Sequence, residues 1–421
     1  MTPHRPRTAI LHYSAPPVVG GVEAVMLAHA RTFVAAGLEV TVIAGRGEQQ
    51  ALPADADLAL VPEIDSRHPE IMQASVQLAA GQVPADFDAL TERLAAALRP
   101  LLQPVDALIV HNVFTKQFNL PLTTALNQLL DDGTIRRCIA WCHDFAWTSP
   151  RSRVDVHDGY PWDLLRTKRP DVTYVVVSQE RQETLAGLYG CPPEEIRVVY
   201  NGVDPVDLLR LPDESAALIE RLGMLQADLV LLMPVRVTVA KNIELALEVV
   251  AALKEKVERP LLILTGPPDP HDSESMAYFR ELQDRRAALG VDQEMRFVFE
   301  SGPDPDQPYL IDANVVGDLF RVSDVMFMPS HREGFGMPVL EAGLTGIPVV
   351  ATDVPAAHEI GGGDVTLFSL DQSPRQVADR IIDRTENDPL HHLRRRVRQQ
   401  YTWQAIFERD ILPLLEGQTA S

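Results

Sequence analysis

The stretch Val325-Met-Phe-Met-Pro329-Ser-His-Arg-Glu333-Gly-Phe-Gly-Met-Pro338-Val-Leu-Glu341-Ala-Gly343 changes character twice along its length. Val325–Met328 is a short, unbroken apolar run, the mark of a strand buried on both faces. Two close glycines follow, Gly334 and Gly336, and then Pro338, a residue favoured at the start of a helix. Gly346 supplies the helix stop. A strand, a glycine loop and a helix start bring free backbone N–H groups and the positive end of the helix dipole to one spot. The glycines let a ligand approach the backbone closely, and a diphosphate or a sugar suits such a place. Glu333 in the loop and Glu341 in the first turns are acceptors for paired hydroxyls. Singly, Glu341 is a dipole partner at a helix start and Glu333 a solvated loop acid. With the glycines and the strand, the ligand reading prevails.

Outward from this block the same alternation continues. On the N-terminal side of the motif, Asp228–Val235, Leu261–Thr265 and Arg296–Phe299 are predicted strands, and Asn242–Lys256 and Ser275–Leu289 helices. Val349–Thr352 continues the series. The first half repeats the pattern: strands at Thr8–Tyr13, Glu39–Ala44, Asp106–Val110, Arg137–Cys142 and Thr173–Val177, with a helix from Val22 that Gly37 ends. Val22, Val25, Met26, His29 and Phe33 have helical spacing. Apolar strands separated by helices predict parallel sheets covered on both faces. The chain has 421 residues, too long for a single core. The fold class is therefore α/β, as two doubly wound Rossmann-like domains in tandem, broken near Val203–Pro212. Ligands in such sheets bind beyond the carboxyl ends of the strands, which predicts a site in a cleft where the two domains face each other.

Two segments carry weaker patterns. Gln49–Asp88 is poorly periodic and is expected to be a loop-rich insertion. Asp379–Gln400 is expected to be one helix, with Arg394, Arg395, Arg396 and Arg398 near its end. That cluster reads as a solvated face near a helix C-terminus, the alternative being an anionic or membrane-surface patch. Trp403–Leu415 is a last amphipathic helix.

Composition narrows the function. A net charge of −21, from 59 acidic and 38 basic side chains, argues against nucleic acid as a partner, though not against a small basic pocket. No apolar run approaches the roughly 20 residues that span a bilayer. Three cysteines are too few for a disulfide framework, which favours a reducing cytoplasm. Cys138, Cys142 and His143 do not make a metal cluster, because strand spacing sends the thiols to one face and His143 to the other.

Here the residues reach a resemblance. Glu333-x7-Glu341, followed by Gly346-Ile-Pro-Val-Val-Ala351, resembles the donor motif of the retaining glycosyltransferases of family 4, which have the GT-B fold. The resemblance runs over nearly the whole chain. Gly20-Gly21-Val22-Glu23 is similar to the family's first glycine loop. Val177-Ser178 and Tyr200-Asn201-Gly202-Val203-Asp204 match landmarks at the end of its N-terminal domain. Arg236 and Lys241 match a basic pair after the first strand of its C-terminal domain, and Tyr401-Thr402-Trp403 its closing helix. Two departures stand beside these matches: the usual Gly-Arg is Val235-Arg236 here, and Lys241 precedes Asn242 rather than glycine.

The resemblance implies three parts: residues 1–205 as the acceptor-side domain, 206–398 as the nucleotide-sugar domain, and 399–421 as a helix crossing back to the first domain. It implies a nucleotide-diphosphate sugar as donor substrate and a sugar, small molecule or lipid head group as acceptor, with room for peripheral membrane contact. No cofactor and no metal are implied. Arg236 and Lys241 would meet the pyrophosphate, as a planar fork and a point charge suit phosphate oxygens. Glu341 would hold the ribose and Glu333 the donor sugar. Gly334, Phe335, Gly336 and Met337 would line the donor site, and Gly20 and Gly21 would admit the diphosphate. His143 would contact the donor sugar, although a lone strand-end histidine is more often structural.

Other functions remain distinguishable. An epimerase of the same fold would release free nucleotide, a phosphorylase would depend on phosphate, and a silent nucleotide-sugar binder would turn over nothing. A dinucleotide-dependent dehydrogenase would want Gly-x-Gly-x-x-Gly after the first strand, which Pro17-Val-Val-Gly20-Gly21 does not supply. The donor base, the acceptor and the oligomeric state are not readable from these residues.

Overall fold

The computed structural model describes residues 6–269 and 271–417. Parallel pairing organises them into two sheets. The first holds β1 (Arg7–Leu11), β2 (Glu39–Ala44), β3 (Ala56–Leu60), β4 (Ala107–His111), β5 (Cys138–Cys142), β6 (Val172–Val176) and β7 (Arg197–Val198), in the order β3-β2-β1-β4-β5-β6-β7. The second holds β8 (Leu229–Met233), β9 (Pro260–Leu264), β10 (Met295–Phe297), β11 (Val325–Met328), β12 (Val349–Thr352) and β13 (Thr366–Phe368), in the order β10-β9-β8-β11-β12-β13. In each, the first strand lies centrally and the order reverses between the first and fourth: β1 beside β4, β8 beside β11. These are doubly wound sheets, and the reversal opens a crevice at the carboxyl ends of those two strands.

Alternation along the central strands builds a core on both faces. Ala9 and Leu11 pack with Leu94, Leu98, Leu122 and Leu126, whereas Ile10 packs with Met26, Ala30 and Phe33. In the second sheet Leu231 and Met233 face Leu247 and Val250, and Val230 and Leu232 face Leu319 and Phe320. Burying each such side chain contributes about 1.5–3 kcal/mol, so the central strands carry the stability of their unit.

The chain forms two compact units: one of residues up to Gly202 together with those from Trp403, the other Val203–Thr402. The changeover thus falls a few residues from the expected 205/206 and 398/399, and the last four residues of the expected 399–421 segment lie outside the described residues. Helical turns at Trp403–Ile406 and Leu412–Glu416, joined by a π-turn at Phe407–Ile411, lay Ile406, Phe407, Ile411 and Leu415 into the first unit's core. Phe407 meets Phe33 at 5.4 Å between ring centres. A side chain at Gly202 would stand 2.9 Å from the Trp403 ring, so this close approach requires glycine.

Three expectations need correction. The expected single helix over Asp379–Gln400 is two, Pro374–Glu386 and Pro389–Gln400. Asp388 caps the second by accepting from the Leu390 N–H at 2.9 Å, and Pro389 cannot continue the first. Arg396 is exposed and Arg395 partly so, but Arg394 and Arg398 turn inward rather than joining a solvated face or an anionic or membrane-surface patch. Arg398 is buried and grips Asp324 at 2.6 and 3.0 Å, Arg394 donates to the Ser323 carbonyl at 3.0 Å, and Arg395 lies 3.7 Å from Asp228. Finally, Gln49–Asp88 is not a loop-rich insertion. It supplies the edge strand β3, which pairs with β2, and the helix Pro69–Ala79. An edge strand is only half buried, which blurs its hydrophobic pattern.

Candidate active site

In the second unit the crevice between β8 and β11 gathers the residues that the sequence singles out. After β8 the chain passes Arg236 and makes a single turn at Val239–Lys241, ending at Asn242 in the left-handed region. After β11 it runs through Pro329–Gly336 into the helix Met337–Thr345. The two loops are stapled by the His331 N–H donating to the Ala240 carbonyl at 2.9 Å. This brings Lys241 Nζ to both oxygens of Glu333, at 2.7 and 2.8 Å. Ser330 Oγ donates to the same carboxylate at 2.5 Å. Glu333 keeps only 7% of its side chain exposed, so a charge-assisted pair fixes its position.

The backbone beside this pair is an anion cradle. Gly336 adopts φ +87°, which a side chain would strain, and thereby turns the loop into the helix. The N–H groups of Phe335, Gly336 and Met337 carry no hydrogen bond among the described residues, and the positive end of the helix dipole adds to them. A side chain at Gly334 would meet open space. Arg236 and Glu341 are exposed and make no side-chain hydrogen bond or ion pair among the described residues. Phe335 and Met337 are each 53% exposed. The unit thus presents a free guanidinium, a free carboxylate, an ammonium with one donor left and unpaired N–H groups beyond the carboxyl ends of its two central strands.

In the first unit the crevice between β1 and β4 holds His12, Ser14, the Gly20–Glu23 loop, His111 and Asn112, with His143 following β5. Gly20 makes room: a side chain there would run into the Glu23 carboxylate. Gly21, the first residue of the helix Gly21–Ala35, faces open space. Asn112 sits at φ +62° and its Oδ1 accepts from the N–H groups of His143 at 2.8 Å and Asp144 at 3.2 Å. His143 Nε2 lies 3.2 Å from His111 Nδ1, and the two rings stack. Burial first, and then the neighbouring His12, lower His143 to about 4, so its ring is neutral at neutral pH. Burial likewise lowers His29 to about 3 and His111 well below the usual histidine range.

His12, His111, Asn112 and Glu23 were not among the residues chosen from sequence as site candidates. Their one local signal is that His111 ends a strand and His12 follows one, as His143 does. Asn112→Ala removes the acceptor shared by two partly buried N–H groups. It is expected to lower the stability of the first unit by about 1–3 kcal/mol, read as a shift in urea midpoint at constant slope. An unchanged midpoint would show that the loop holds His143 without Asn112.

Among the described residues, no group of three or more His, Cys, Asp or Glu side chains is placed to hold a metal ion. Cys138 and Cys142 are buried free thiols, and burial pushes Cys142 up to about 12. No helix of the described residues is long and apolar enough to cross a membrane.

The profile of the family described as Glycosyl transferases group 1 matches residues 217–402, and that described as Glycosyltransferase Family 4 matches residues 19–207. A D-inositol 3-phosphate glycosyltransferase of Jonesia denitrificans is 30% identical over 258 residues, 56% of this chain and 56% of that protein. A mannosylglucosylglycerate synthase of Petrotoga mobilis is 24% identical over 273 residues, 60% of this chain and 61% of its own length. The chain thus spans about three-fifths or less of the length of these curated relatives. A crystal structure of Anabaena HepE in complex with UDP and glucose is 18% identical, covers 98% of both chains and has a TM-score of 0.34.

Proposed function

This chain belongs to the family 4, group 1 glycosyltransferases, and on that premise we propose that it moves a sugar from a nucleotide-diphosphate donor to a hydroxyl acceptor with retention. The observation that carries the reading is the Lys241–Glu333 pair set against the unpaired N–H groups of Phe335–Met337. A lysine ammonium has three donors. Glu333 takes two, leaving one for a phosphate oxygen, with Arg236 beside it as a free fork.

Breaking the bond from the anomeric carbon to phosphate builds positive charge on the sugar and negative charge on the leaving diphosphate. Arg236, Lys241 and the helix N-terminus meet the negative charge, the part a divalent ion plays in metal-dependent transferases. Glu333, held rigid by Lys241 and Ser330, faces the donor sugar. Glu341 accepts from the ribose hydroxyls. Neutral His143 hydrogen-bonds the donor sugar without adding a charge that would oppose the developing cation. The relatives' names differ in acceptor, and no acceptor is carried over from them.

A screen of nucleotide-sugars for release of the nucleotide diphosphate, followed by mass spectrometry of products formed in cell extract, tests the reading. Release with an altered free sugar would favour an epimerase, and no release from any donor a silent binder. Within the screen, Glu341→Gln is expected to raise the donor KM about ten- to a hundredfold with kcat nearly kept, because a ribose contact is made equally in ground and transition states. A wild-type KM would remove Glu341 from the donor site.

A further inference from the structure

The β1–β4 crevice brings two acceptors face to face. His12 Nδ1 lies 3.0 Å from the His111 carbonyl oxygen. That oxygen can only accept, so Nδ1 carries the proton and Nε2 is left as a lone pair. Across from it stands Glu23, with Oε1 4.0 Å from Nε2. Glu23 is not free to swing away, because Ser14 Oγ donates to Oε1 at 2.7 Å and glycine at position 20 leaves the carboxylate its seat. The side chains are nearly buried, with 7% of His12 and 13% of Glu23 exposed, and Nε2 has no hydrogen-bond partner among the described residues. His12 Nε2 thus has a lone pair with no donor among the described residues, and Glu23 has Ser14 alone, so both can accept from further hydroxyls.

We propose that His12 Nε2 and Glu23 form a seat for two neighbouring hydroxyls of the acceptor, each donating to one of them, so that the acceptor is a polyol such as a cyclitol or a sugar. Each hydroxyl would sit about 2.7–2.8 Å from its partner, the usual O–H hydrogen-bond length. Adjacent ring hydroxyls can reach both acceptors at once, whereas a simple alcohol reaches one. Burial holds His12 below the usual histidine range, against the raising effects of the His111 carbonyl and Glu23. The other ionisable groups near it are His111 and His143, both held neutral by burial, and Tyr13, whose ring lies 4.9 Å away. The ring therefore stays an acceptor at neutral pH. Only the naming of the hydroxyl bearer as the acceptor rests on the transferase reading.

The test is two-bond proton–nitrogen NMR of the histidine rings in the full chain, with His12 assigned through His12→Asn. Asparagine keeps a donor toward the His111 carbonyl and removes Nε2. Myo-inositol and methyl glucoside serve as nucleotide-free polyols, and UDP-glucose as a donor-type probe. The expected result is a saturable shift of His12 Nε2 with a polyol. Calorimetric affinity for that polyol should fall about tenfold in His12→Asn and in Glu23→Gln, the loss of one hydrogen bond. A response to UDP-glucose alone would assign the hydroxyls to the donor sugar and overturn the acceptor seat. Silence toward every probe, or unchanged affinity in both variants, would overturn the seat itself. A silent seat with a positive donor screen leaves the transferase reading standing, and a responsive seat with a negative screen removes only that reading.

Discussion

Lys241→Ala is expected to lower kcat for donor turnover roughly 10²–10³-fold, the usual cost of losing one preorganised contact to a developing negative charge. Two effects combine. The ammonium that meets the leaving diphosphate is gone, and Glu333 loses the partner that grips both its oxygens. Only Ser330 then holds a carboxylate whose side chain is 7% exposed, so it no longer faces the sugar in one orientation. Lys241→Arg should recover little, because a longer planar fork directs its donors differently from the compact ammonium that Glu333 is seated against. Single-turnover release of nucleotide diphosphate gives the measurement, with circular dichroism confirming the fold. A fall of less than about threefold would show that Lys241 only anchors the loop.

The second large effect is on stability. Arg398 holds Asp324 through two hydrogen bonds, and Asp324 also accepts from the Val230 N–H at 2.9 Å, at the start of the central strand β8. Burial alone would raise the Asp324 carboxyl. The His391 ring 3.7 Å away, Arg398 and the amide together overcome it and hold the group at about 2. Arg398→Met strands a buried charge and should destabilise the second unit by about 3–5 kcal/mol. The pH dependence has a definite sign. The folded value lies below the unfolded value of about 3.9, so the contribution is fully present above that pH and is lost as the pH falls toward 2. In the variant, burial raises the carboxyl instead, and stability falls as the pH rises. Urea unfolding should therefore show the widest gap between the two proteins at neutral pH, closing toward acid. A gap independent of pH would mean that Arg398 acts by packing alone.

Much of this architecture was legible in the residues, for reasons that differ by element. The limits of β2, β11 and β12 match the expected ones, and β11, buried on both faces, carries no polar interruption. Gly336 and Gly346 bracket their helix as the helix-end rules require. β7 was invisible, since two half-buried residues carry no period. The break at Asp388-Pro389 was visible in principle as a cap followed by a proline. The arginines after it misled because their partners lie far away in sequence: Arg398 and Asp324 are 74 positions apart. The donor-side candidates Lys241 and Glu333 were found although they are 92 positions apart, because each belongs to a motif that marks a strand end. Asn112 serves His143 from 31 positions away with no motif around it, and only the strand order places it there.

The first unit is interrupted in the chain by the second, and Ile406, Phe407, Ile411 and Leu415 complete its core from beyond the interruption. Synthesis is vectorial, so the order of completion is inverted: the inserted unit is whole before the enclosing one. Until those residues leave the ribosome, the apolar surface around Phe33 and Trp141 has no cover. For that interval the nascent chain carries a finished domain and an open hydrophobic face together, the state in which chaperone capture competes with aggregation.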